Sequence, residues 1–116
     1  MADLPDRTIT IILELQRRLV QLINQAGTTE LSVFEIFGET EATASSVLEQ
    51  LTNIRERATS SYSHLSNLLL RISEFQPIAP AATTIELLTQ TIEQAKATAE
   101  AGEATVREAK SDWNLL

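Results

Sequence analysis

Between Glu41 and Phe75, small or apolar residues recur at Ala44, Val47, Leu51, Ile54, Ala58, Ser61, Leu65, Leu68, Ile72 and Phe75. This alternation of three and four residues keeps one stripe of a helix against a partner helix along its whole length. Neither Pro nor Gly interrupts the run, so nothing in it tells a helix to stop. At 1.5 Å per residue, about 35 residues make a rod of about 50 Å. The remainder of the chain has to pack along that rod.

A second run of the same period follows at Ile85, Leu88, Ile92, Ala95, Ala99, Gly102, Val106, Ala109 and Trp113. Thr83 with Glu86 forms a capping box at its start. The intervening Gln76-Pro77-Ile78-Ala79-Pro80 cannot remain helical, because each proline lacks an amide and disfavours helix in the residue before it. Two long seams joined by a short loop predict an antiparallel hairpin of helices over about 41–75 and 84–113. Folding it about Ala79 sets Ala58 opposite Gly102 and Ile54 opposite Val106, with small residues facing small in the middle layers.

The N-terminal arm reads as two pieces. Asp6 caps a helix over about 7–26, and Gly27 is the cheapest residue to end it. A short helix over about 30–37 is then bounded by Thr28 or Thr29 and Gly38, with Leu31, Phe34 and Phe37 at intervals of three. The fold expected for residues 1–116 is therefore a single all-α domain, an antiparallel helical hairpin of two coiled-coil-like helices plus a shorter N-terminal helix in a three- to four-helix bundle. The first helix carries Ile9, Ile12, Leu19 and Ile23 on one stripe, and Ile11, Leu15 and Leu22 widen it beyond what one seam requires. That excess predicts a homodimer in which Ile11, Leu15 and Leu22 are buried between copies.

Composition removes several functional classes. With no Cys, there is no disulfide framework, thiolate nucleophile or Cys-ligated zinc. The net charge of −7 repels nucleic acid, and the pairs Arg17/Arg18 and Arg55/Arg57 are split around the helix beside Glu14 and Glu56. The longest apolar stretches fall short of the roughly 18–20 residues that span a bilayer. Asp3 and Asp6 stand where an export signal would carry Lys or Arg, which points to a cytoplasmic address. The few isolated glycines build no phosphate-cradling loop.

Candidate chemistry is sparse. His64 is the single His, and its helical neighbours Ser60, Ser61, Asn67 and Leu68 include no carboxylate, so no Glu-x-x-His metal motif exists. Hydroxyls beside it on a regular helix lack oxyanion donors. Histidine phosphotransfer domains carry Lys and Gly three and four residues after the His, and this chain departs from that pattern with Asn67 and Leu68. No catalytic, metal or cofactor residue is assigned. The chain reads as a non-enzymatic protein-interaction or assembly module that binds itself and a further protein. The alternatives are phosphotransfer through His64 and carriage of an apolar ligand between the helices. The candidate interaction surface comprises Ile11, Leu15, Leu22, Phe34, Phe37 and Trp113. Phe34 and Phe37 serve either to cap the bundle or to dock a partner, and Trp113 either plugs the seam against Val47 and Leu48 or anchors a partner.

Overall fold

A computed structural model describes residues 6–37, 42–74 and 82–113. They form three helices, α1 (Asp6–Phe37), α2 (Ala42–Glu74) and α3 (Ala82–Asp112). All three pack on one another as a small bundle with principal extents of 57 × 21 × 17 Å. Hydrogen bonds from Gln16 to Ser66 and from Thr52 and Arg55 to Glu30 show that α1 and α2 run antiparallel. α2 and α3 are antiparallel as well, since Val47 shares a groove with Ala109, and Arg57 shares one with Thr98. α1 and α3 are therefore parallel.

The N-terminal arm departs from expectation. α1 is one helix of 32 residues, running straight through Gly27 where a break into helices 7–26 and 30–37 was expected. Its buried positions explain why: Ile12, Leu15, Leu19, Leu22, Ala26, Thr29 and Val33 keep the three-four alternation in phase on both sides of the glycine. A mid-helix glycine costs about 1 kcal/mol. Burying Val33 alone is worth about 1.5 kcal/mol or more, so the seam carries the helix across. At about 48 Å, α1 runs along nearly the whole hairpin, so one chain supplies all three helices of the bundle.

Core residues follow the expected seams on the other two helices. Ala44, Leu51, Ala58, Leu65 and Leu68 are buried on α2, and Leu88, Ala95, Ala99, Val106 and Ala109 on α3. α3 contributes mostly small residues, which receive the large Ile12, Leu19 and Leu22 of α1. The axial register differs by one turn from the expected one. Gly102 lies against Ile54 and Leu22, which puts Ala58 about level with Thr98. A seam specifies which face is buried, but a slide of about four residues keeps seam on seam, so periodicity cannot set the axial match. α3 also begins at Ala82, ahead of the expected start, and the capping side chains of Asp6 and Thr83 lie outside the described residues.

Polar ties fix the helices laterally. Arg18 reaches Glu103 on α3 through two hydrogen bonds, Nη2 to Oε1 at 2.6 Å and Nε to Oε2 at 3.1 Å. These hydrogen bonds hold the Glu103 carboxyl below its ordinary range and raise the Arg18 guanidinium. Gln16, buried beside the core, donates to Ser66 Oγ at 2.6 Å and to the Tyr62 carbonyl at 3.4 Å.

Candidate functional site

On α1 the residues Leu13, Val20, Gly27 and Phe34 follow one another at intervals of seven. They sit about 130° round the helix from the core seam, and Leu31 lies beside them. Leu13, Val20, Leu31 and Phe34 each leave between 48% and 57% of their surface to solvent. Their spacing repeats the heptad of the core, so this helix carries two apolar stripes, and the bundle uses only one.

The second stripe borders a groove between α1 and α2 on the side away from α3. At its Phe34 end the groove is a depression of about 510 Å³ lined by Gly27, Glu30, Leu31, Phe34, Leu48, Thr52 and Arg55. Its wall is bare at Gly27, where a Cβ built on the backbone meets nothing within 4 Å. Its floor is ordered by Glu30, whose carboxylate accepts from Arg55 Nε and Nη2, both at 3.2 Å, and from Thr52 Oγ1 at 3.3 Å. Beyond it, the α1–α2 register sets Val20 level with Tyr62 and Leu13 level with Leu69. Tyr62 is exposed and Leu69 half-buried. Thr52, Thr59 and Ser66 repeat at sevens along the α2 side of this face. Small hydroxyl side chains there leave room for the side chains of an approaching helix.

No protein-family model, curated protein or solved structure matches the chain. The surface itself must carry any functional reading.

The expected surface residues divide on inspection. Leu15 and Leu22, at 6% and 0% exposure, belong to the core of the single chain and are not available for docking. They are the d positions of α1's own seam, which was mistaken for surplus because the stripe was drawn through Ile9 and Ile23. Ile11 is 39% exposed, but lies one heptad before Arg18, on the flank toward α3, and not on the groove. Phe34 is on the groove. The Phe37 side chain lies outside the described residues, and Trp113 is half-buried at the end of α3, its amide donating to the Ala109 carbonyl at 3.0 Å. Leu13, Val20 and Leu31 were missed. The period of seven through Leu13, Val20 and Phe34 was present in the sequence, but a presumed helix end at Gly27 cut it in half.

A second groove, of about 540 Å³, lies between α2 and α3. Gln50, Asn53, Arg57, Thr105, Glu108 and Asp112 surround its few apolar atoms, which suits solvent better than an apolar partner. His64 is exposed on α2. Among the described residues, no cluster of three or more His, Asp or Glu could hold a metal ion, and no helix is long and apolar enough to cross a membrane.

Proposed function

We propose that this chain is a non-enzymatic interaction module that docks a helix-bearing partner on the α1–α2 face. The observation that carries the reading is the second apolar heptad stripe of α1, Leu13, Val20 and Phe34 with Leu31 beside it, left half-exposed and ending in an open groove at Leu31 and Phe34. Leaving such residues in water forgoes roughly 1.5–3 kcal/mol for each that could be buried, and contiguous apolar patches mark association sites. Heptad spacing favours a helix as the docked element, since only another helix matches that period.

The test is comparative capture. Tagged parent chain and a Val20→Glu/Phe34→Glu variant are incubated with extract of cells that express the protein, supplemented with an untagged copy. Both substitutions lie at exposed positions and should leave the melting temperature within the spread of surface changes, about 0.5 kcal/mol. Binders held by the parent and lost by the variant support the face as the docking site. Equal retention by the two proteins excludes it.

A further inference from the structure

We propose that the occupant of the α1–α2 face is a second copy of the same chain, related by a two-fold axis that crosses the helices at a level between Ile23 and Asn24, so that each α1 lies antiparallel on its partner's α1. The inference rests on the reading of this face as a docking surface and adds the partner and its orientation.

Area comes first. From Leu13 to Phe34 the face is about 32 Å long, and two adjacent helices with their side chains are about 20 Å across. Such a face offers roughly 640 Å² per chain and about 1,300 Å² in a symmetric pair, within the range of stable specific interfaces.

Charge then selects the axis. At the Leu13 end, the helix positions that face outward on α1 and α2 hold Leu13, Arg17, Val20, Thr59, Tyr62 and Ser66, of which Arg17 is charged. Toward the Phe34 end, Glu30 is engaged with Arg55, Glu49 is exposed on α2 level with Val33, and Glu56 stands nearer the middle, level with Ala26. The face is thus positive at one end and negative at the other.

Two face-to-face two-fold arrangements are open to a pair of antiparallel helices. An axis along the helices lays α1 on the partner's α2 at matched levels, stacking acidic end on acidic end. An axis across the helices inverts the partner, and Arg17 then comes over the acidic end. Like charges juxtaposed across an interface disfavour the first arrangement, and complementary ends favour the second.

The apolar stripe agrees with that choice. Inversion about a level between Ile23 and Asn24 sets Leu13 level with the partner's Phe34 and Val20 level with the partner's Gly27. Gly27 is where the helix surface is bare, so a Val20 knob meets the open part of the groove.

Absence of native Cys makes the experiment direct. Light scattering of the parent at micromolar concentration should give twice the chain mass of 12.8 kDa, and Val20→Glu should return it to the single-chain value. Single cysteines joined by a short bismaleimide then report orientation. Asn24→Cys should link to itself, and Leu13→Cys should link to Phe34→Cys in a mixture while neither links alone. Linking of Asn24→Cys to Thr59→Cys, without self-linking, would overturn the axis. A parent that stays at 12.8 kDa and links nowhere would exclude the second copy. The capture comparison decides the other question separately: a monomer whose binders are lost with Val20→Glu/Phe34→Glu keeps the docking face and loses the self-pairing, whereas unchanged binders remove both.

Discussion

Adding one methyl group at Gly102 and the same methyl group at Gly27 should change stability in opposite directions. Both glycines lie inside helices, and replacing glycine by alanine in a helix interior gains about 1 kcal/mol of propensity. The surroundings differ. At Gly27 the new Cβ meets nothing within 4 Å, but at Gly102 it falls 2.5 Å from Leu22 Cδ2, 3.0 Å from Ile54 Cγ2 and 3.3 Å from Leu22 Cδ1. Carbon atoms settle at about 3.5–4.0 Å, so Leu22 must yield by about 1 Å. It is fully buried, and forcing such a side chain off its rotamer or moving α3 costs about 1–3 kcal/mol.

Since the propensity gain is common to both variants, their difference isolates the clash. For a chain of this length, 1 kcal/mol moves the melting temperature by about 4 °C. Gly27→Ala should therefore melt about 2–4 °C above the parent. Gly102→Ala should melt about 4–12 °C below Gly27→Ala, with Gly102→Leu lower still. The assay is thermal denaturation by circular dichroism, at a dilution where the chain is monomeric. In a Leu22→Ala background the Gly102→Ala penalty should shrink by about 1–3 kcal/mol, the coupling expected of touching residues. Equal upward shifts for the two alanine variants would refute the placement of Gly102 against Leu22.

Further outcomes follow from the same geometry. Leu15→Glu should destabilise by about 3 kcal/mol or more, because it removes a core leucine and leaves an unpaired carboxylate in its place; at a dilution where the parent is monomeric, Val20→Glu should unfold at the parent's denaturant midpoint, and similar midpoints for the two variants would contradict the assignment of core and face. Glu103 has its folded-state pKa lowered by Arg18, so its contribution is present at neutral pH and lost as pH falls below the ordinary carboxyl value of 4.5. Glu103→Gln should then cost at most about 1 kcal/mol near pH 7, given that both partners are about one-third exposed, and nothing at acid pH; a penalty constant with pH would point away from the ion pair. Thr29 is buried in the α1 seam with its hydroxyl donated to the Gln25 carbonyl at 2.7 Å, a carbonyl already used by the helix. Thr29→Val should be neutral or stabilising by up to about 1 kcal/mol, and a fall in melting temperature would show that the hydroxyl has another partner.

What the sequence determined by itself was the class of fold and the faces of two helices. The three-four repeats of α2 and α3 named their buried residues because the period of an amphipathic helix is a local property, fixed by backbone geometry and legible wherever the repeat is unbroken. Three things were decided only in the tertiary structure. The continuity of α1 through Gly27 depends on a contest between about 1 kcal/mol of local propensity and the burial of Thr29 and Val33 beyond it, and burial can be weighed only when α2 and α3 are present to receive those side chains. The match of Gly102 with Ile54 and not Ala58 depends on axial position, to which a periodic seam is indifferent over a turn. The assignment of Leu15 and Leu22 to the core, and of Leu13, Val20, Leu31 and Phe34 to the surface, followed from the same cause: α1 carries two apolar stripes, and which one is covered is settled by where the other two helices lie.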